Sequence, residues 1–415
     1  MDMILCLTRR RGLIHAASIL LVVLAANGVS AETKMTKNLL DGVKCLDGSP
    51  ALYFISDEEL AKTSKYVVWL EGGGACRNMS DCELRAKSKL GSSTPWPNEM
   101  LPPEDILKTD LSVNPDFAGF VHIFVPYCSG DIWVGQAKEA LNPFIDSTES
   151  NLSQWVGYFQ GHMIIEQLLD QVIGDAVVDE LILTGCSAGG MGTFYNCDYV
   201  AAKFNESKVR CRPEAGYFGL PIATYPSFTA GTKEKPAQMH HLGSGWSFSI
   251  NPWSLESPES KACQAASSSP TDDCPAMQKG INVCCALPPY IYPYIQTPMF
   301  VSENTADAYQ VFEQGQCPRS KTEKTKEYID YLRNILVSSM NKVIVRGSKR
   351  SQDGVFAPAC LRHCMYWTAE ENMAATIRGK SLQQAFGDWY YERGSPGSFM
   401  YLNNSSDPRQ LLSCM

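Results

Sequence analysis

Histidine is scarce in this chain, six residues in 415, so a search for a catalytic imidazole is short. Basic charge is also scarce. The 36 Lys and Arg are outnumbered by 44 Asp and Glu, for a formal charge of −8. That excludes the electrostatic footprint of a nucleic-acid binder. The 16 cysteines contain no C-x-x-C pair, which removes the usual zinc spacing. The triplet Gly72-Gly73-Gly74 is not followed by Gly-Lys-Ser/Thr, so it is not a P-loop. Beyond the N-terminus no apolar run reaches the roughly 18 residues of a membrane span, and no internal repeat is visible.

What is present points to an exported globular protein. Arg9, Arg10 and Arg11 precede the apolar run "GLIHAASILLVVLAANGV", and Val29-Ser30-Ala31 offers small residues for cleavage. Residues 1–31 read as a signal peptide, leaving 32–415 as a single domain, secreted and not stably inserted in a membrane. The leader takes three arginines and one aspartate with it, so the mature chain is more acidic still. It also takes Cys6, leaving 15 cysteines. In an exported chain that count reads as disulfides with one thiol left over. Cys186, in a tight turn, is the candidate for the free thiol. Short spacings suggest Cys76–Cys82 and Cys197–Cys211 as pairs. Sequons at Asn78, Asn151, Asn205, Asn403 and Asn404 fit the same compartment.

Short β-branched and aromatic runs alternate with helical patterns. "KYVVWL" (65–70), "FAGFVHIFVPY" (117–127), "ELILT" (180–184), "AGYFGLPI" (215–222) and "TPMFVSE" (297–303) read as strands. Helical spacing covers 158–176 and 322–340. Such alternation predicts an α/β fold with a mostly parallel sheet flanked by helices. Residues 227–294, rich in Cys, Pro and Ser, read as an irregular disulfide-rich insertion.

The chemistry concentrates in two glycine motifs. Gly185-Cys186-Ser187-Ala188-Gly189 matches G-x-S-x-G after an apolar strand. Small neighbours keep that turn sharp and leave the Ser187 hydroxyl exposed, and the next helix aims its N–H groups at it. Glu71-Gly72-Gly73-Gly74 follows "YVVWL". Its bare backbone can bring N–H donors close to a substrate oxygen, as the HGGG-type loop does in α/β-hydrolases. The base must then be a histidine after the serine, with an acid between them. His15 leaves with the leader, His122 and His162 precede Ser187, and His240 and His241 fall in the insertion. His363, between Cys360 and Cys364, remains. Asp307, just beyond a predicted strand, is the preferred acid, with Asp353 its rival. Tyr127 and Trp133 either wall the substrate cleft or pack the core.

Taken as an ordered set, "WLEGGGAC", "VPYCSGDIWVG", "LTGCSAGG", "ENTADAYQ", "FAPACLRHC" and "GKSLQQAF" resemble the pectin acetylesterase/Notum family of secreted serine carboxylesterases, from about Cys45 to the C-terminus. The resemblance implies an α/β-hydrolase-like fold and a metal-free, cofactor-free mechanism. It places the nucleophile on Ser187, the acid on Asp307, the base on His363, and the oxyanion donors on the backbone of Gly73, Gly74 and Ala188. It leaves the substrate divided between O-acetyl groups on a polysaccharide such as pectin and a fatty acyl ester on a protein serine. "YCSGDIWVG" resembles the Notum form, whereas "GCSAGG" and the C-x-x-H-C around His363 resemble the plant form. A third alternative is an inactive secreted binding protein on the same fold.

Overall fold

A computed structural model describes residues 33–56, 63–142, 155–174, 176–218, 256–266, 277–278, 281–315, 317–320, 322–345, 352–365 and 375–403. They fall within one compact unit, Thr33–Met415. The expected leader, His240 and His241, and most of the 227–294 insertion lie outside the described residues.

The core is a ten-stranded sheet. In chain order its strands are β1 (Met35–Lys44), β2 (Pro50–Ser56), β3 (Lys65–Leu70), β4 (Glu99–Met100), β5 (Val121–Val125), β6 (Glu180–Cys186), β7 (Lys208–Glu214), β8 (Phe300–Ser302), β9 (Gly354–Ala357) and β10 (Met400–Leu402). Across the sheet they run β10-β9-β8-β7-β6-β3-β5-β2-β1-β4. Every pairing from β10 to β5 is parallel, and those of β2, β1 and β4 are antiparallel. The expected mostly parallel α/β sheet is the observed one. Its central strands, "KYVVWL", "VHIFV" and "ELILTGC", are buried almost throughout, because helices and loops cover both faces of a parallel sheet.

The register sets where the site can be. Leu70 pairs with Val125 and Gly185. Cys186 pairs with Glu214, Glu214 with Ser302, and Ser302 with Phe356. The C-terminal ends of β3, β5, β6, β7, β8 and β9 therefore lie side by side, where ligands bind in open parallel sheets.

Two sequence expectations need correction. Of the fourth predicted strand, 215–222, residues 215–218 are not a strand and 219–222 lie outside the described residues; the strand is β7, "KVRCRPE", just before it. Its four charged side chains look wrong for a buried strand. Arg212 and Glu214 are nevertheless buried, because they pair with each other at 2.9 Å. Cys186 is not the free thiol either. It is bonded to Cys364, and the free cysteine among the described residues is buried Cys317. The suggested pairs Cys76–Cys82 and Cys197–Cys211 are present, with Cys45–Cys128 and Cys263–Cys285.

Helix α1 (Met79–Ala86) follows β3, α2 (Gly161–Leu168) precedes β6, and α3 (Ala188–Lys203) follows it. Helix α4 (Glu323–Met340) buries Ile329, Leu332, Leu336 and Met340 along one stripe, and its N-cap Thr322 accepts the Thr325 N–H. No described helix is long and apolar enough to cross a membrane.

Helix α3 packs so closely on the sheet that a Cβ on Gly189 would lie 1.9 Å from the Leu70 carbonyl oxygen. Backbone on both sides cannot yield. Gly189→Ala should therefore cost about 1–3 kcal/mol or more. Gly119→Ala meets nothing within 4 Å and should be neutral or stabilising by up to about 1 kcal/mol. Denaturation midpoints of the two variants measure the contrast; equal midpoints would contradict the packing described.

Candidate active site

Ser187 is the entire connection between β6 and α3, with φ 60° and ψ −119°. A non-glycine residue there stores about 1–3 kcal/mol of strain, and such strain persists only when its surroundings over-determine it. They do so here. The Ser187 N–H donates to the Glu214 carbonyl at 3.0 Å, and the Met191 N–H donates to the Ser187 carbonyl at 2.9 Å. The first N–H groups of α3, Ala188 included, have no partner within the helix.

The glycine loop after β3 lies directly on this turn. A Cβ on Gly72 would come within 2.6 Å of the Cys186 oxygen and 2.9 Å of the Ser187 Cβ. Arg85 Nη1 donates to the Gly73 carbonyl at 2.7 Å. In a trans peptide the Gly74 N–H then points the opposite way. Gly73, Gly74 and Ala188 line one cavity with Ser187. Glu71, at the loop's start, accepts the Tyr127 N–H on its carboxylate at 2.8 Å and the Trp133 indole N–H on its carbonyl at 3.0 Å. Burial pushes its carboxyl up to about 7, against the Tyr127 amide and Lys89.

Tyr127 and Trp133 do not wall the cleft. Both are fully buried and neither lines the cavity. The Tyr127 hydroxyl accepts the Ile132 N–H at 2.6 Å, and a Cβ on Gly73 would reach within 2.8 Å of its ring. The two aromatics support the glycine loop from beneath. Each polar atom finds a backbone partner, which lets large rings bury completely.

Asp307 and His363 arrive on the loops after β8 and β9. Asp307 Oδ2 lies 2.6 Å from His363 Nδ1, and Oδ1 accepts the Gln310 N–H at 2.8 Å. That contact assigns the imidazole proton to Nδ1 and leaves Nε2 as an acceptor. Nε2 has no hydrogen-bond partner among the described residues, and His363 lines the same cavity as Ser187. The Tyr309 ring stacks on the imidazole at 5.2 Å, and Asn304 donates to the His363 carbonyl at 3.1 Å. Burial works against the imidazolium. The Asp307 charge, its hydrogen bond and the Glu214 charge outweigh it, so the pKa is raised above the ordinary 6.5.

The other candidates are placed elsewhere. Asp353 accepts the Tyr292 hydroxyl at 2.8 Å and the Met299 N–H at 3.0 Å, deep in the core. His122 pairs with the Phe117 carbonyl, and burial drives it down to about 4. His162 pairs with Asn196. Neither histidine lines the cavity.

The cavity measures about 560 Å³. Ile132, Met191, Phe218 and Tyr309 are among its apolar lining; Arg77, Arg85, Glu313 and Gln314 are its polar side chains away from Ser187 and His363. Sequence reasoning missed the two arginines and the pairing of Cys364 with Cys186. The cysteine left a signal: one stands immediately before Ser187 and another immediately after His363.

Asp307→Asn should cut kcat on an ester by about 10³–10⁴-fold. Asp353→Asn should instead lower the thermal midpoint and leave kcat within a few-fold. A large kcat loss at position 353 alone would reverse the assignment. A general base must be neutral, so with His363 in that proposed role kcat/KM should rise with pH through the His363 pKa. The midpoint of that acidic limb is expected above 6.5, and one below it would contradict the described charge environment.

The pectinacetylesterase family model matches residues 24–406. Pectin acetylesterase 4 of Arabidopsis thaliana is 26% identical over 368 residues, covering 85% of this chain and 81% of that protein. The palmitoleoyl-protein carboxylesterase NOTUM of Mus musculus is 26% identical over 378 residues, covering 88% of this chain and 66% of that protein. The crystal structure of the Wnt deacylase Notum from Drosophila superposes with a TM-score of 0.71 at 24% identity, covering 92% of this chain and all of that one. That likeness carries the fold. With a family match spanning nearly its whole length, the chain belongs to the pectinacetylesterase family of ester hydrolases.

Proposed function

We propose that the chain is a secreted serine esterase that removes O-acetyl groups from an acylated polysaccharide through a Ser187-His363-Asp307 triad. One observation carries the reading. The imidazole bonded through Nδ1 to buried Asp307 keeps Nε2 unpartnered and shares a cavity with a serine held at φ 60°. His363 Nε2 takes the Ser187 proton as Oγ attacks the ester carbonyl. The backbone N–H groups of Gly73, Gly74 and Ala188 hold the developing oxyanion. The alcohol leaves with the proton, and water activated by the same imidazole releases the acid. The residues form the complete set for this chemistry, with no metal or organic cofactor.

The choice of polysaccharide rests on two supports. The plant relatives are named pectin acetylesterases. Arg77 also lines the cavity, largely exposed, and among the described residues its charge is met by Asp81 at 3.6 Å. A local cation suits an acidic sugar chain even though the protein is acidic overall. The Notum relatives and the apolar side chains Ile132, Met191 and Phe218 favour a second reading, a longer acyl chain on a protein serine.

Ser187→Ala should abolish hydrolysis of p-nitrophenyl acetate by the full chain and prevent labelling by a fluorophosphonate probe. Unchanged turnover would sink the esterase mechanism. Acetyl over octanoyl preference, with acetate released from acetylated pectin, supports the first reading. Octanoyl preference without such release supports the second.

A further inference from the structure

Glu214 is a buried carboxylate that the acyl-transfer steps do not use. It ends β7, the strand lying between β6, which delivers Ser187, and β8, which leads to Asp307. Its carbonyl accepts the Ser187 N–H at 3.0 Å. In the sheet it pairs with Cys186 on one side and Ser302 on the other. Its side-chain Oε1 accepts the Met365 N–H at 2.6 Å, two residues beyond His363. Its Oε2 meets Arg212 Nη2 at 2.9 Å, with both side chains essentially inaccessible. Thr184 receives the Arg212 Nε–H at 3.2 Å, and the rings of Trp69 and Phe386 each lie 5.5 Å from the guanidinium.

We infer that Glu214 is a positioning residue for the esterase reaction, fixing the Ser187 turn with its main chain and the His363 loop with its carboxylate. The inference rests on Ser187 and His363 being nucleophile and base. Arg212 fixes the carboxylate in turn. A guanidinium keeps its proton in proteins, so this buried cation requires an ionised partner. Burial pushes the Glu214 carboxyl up, and Arg212 and the Met365 amide draw it back. The titratable groups facing it are Arg212, His363 and Glu303. Glu303, fully buried, accepts the Tyr217 N–H at 2.9 Å, and burial and the Asp307 charge raise it well above the usual carboxyl range. Glu214 is therefore a negative charge from outside the triad that also favours the imidazolium of His363.

Glu214→Gln keeps the shape and one acceptor but removes the charge. The Gln variant should lose kcat by about 10–10² -fold with KM little changed, as expected when reacting groups shift slightly. Its acidic limb of kcat/KM should also move to lower pH. Glu214→Asp keeps the charge but is one methylene too short for Met365. It should lose kcat while its acidic limb stays near the wild-type position. A residue that only braced the sheet would change the thermal midpoint and leave both kinetic readouts alone. R212M/E214Q removes the buried pair together, so it should fold if E214Q does not, and should show the same two shifts. Folded E214Q or R212M/E214Q with wild-type kcat and acidic limb overturns the inference. Ser187→Ala is measured alongside. An active Ser187→Ala overturns the mechanism itself, whereas an inactive one beside a wild-type-like Glu214 variant overturns only the role of Glu214.

Discussion

The Ser187 backbone, held in a region that side chains avoid, is the constraint around which the site is built. Strain of about 1–3 kcal/mol persists only if the chain has no cheaper way to connect β6 to α3. The close packing removes the alternatives. Gly189 lets α3 touch the end of β3, Gly72 lets the next loop touch the serine turn, and the Glu214 carbonyl holds the Ser187 amide. The proposed donor loop and the proposed nucleophile are thus in contact before any substrate arrives. Preorganisation of this kind is what makes an oxyanion site effective.

A covalent link reinforces that arrangement. Cys186 and Cys364 are 178 residues apart in sequence and adjoin Ser187 and His363, the proposed nucleophile and base. Closing so long a loop in the unfolded chain removes conformational freedom worth on the order of 5 kcal/mol in the chain-entropy model. Locally, the bond prevents the His363 loop from drifting away from the serine turn. The loop is further held by the Met365 amide on Glu214, the Asn304 amide on the His363 carbonyl, and Tyr309 stacked on the ring.

Ionisable side chains are gathered at this end of the sheet. Glu71, Glu214, Glu303 and Asp307 gather around the site, and Arg212 is a fully buried cation among them. Each carboxyl has a different task because each has different partners. Asp307 faces the imidazole, Glu214 answers the guanidinium, Glu71 braces the glycine loop, and Glu303 receives a backbone amide. Removing one partner of a buried ion pair typically costs about 3–5 kcal/mol, so the Arg212–Glu214 contact also constrains what β7 can become.

The amino-acid sequence alone determined much of the scaffold and which residues are candidates for its chemistry. Continuous apolar runs marked the central strands because those strands are buried on both faces. Glycine-rich turns marked Ser187 and the loop packed against it because only residues without side chains allow such approaches. Counting histidines pointed to His363. Wherever distant charges or thiols cancel in space, the sequence was silent or misleading. The strand "KVRCRPE" looked too polar to be buried until Arg212 met Glu214. Cys186 looked free until the loop carrying Cys364 folded against it. By sequence, Asp307, just beyond a predicted strand, is the preferred acid, with Asp353, in the loop before His363, its rival. Tertiary structure decided between their surroundings, placing one against His363 and the other against Tyr292 and Met299. Local pattern records which residues must be buried or bare; which polar groups neutralise one another depends on contacts between segments as far apart as Asp116 and Arg393, 277 residues away in sequence.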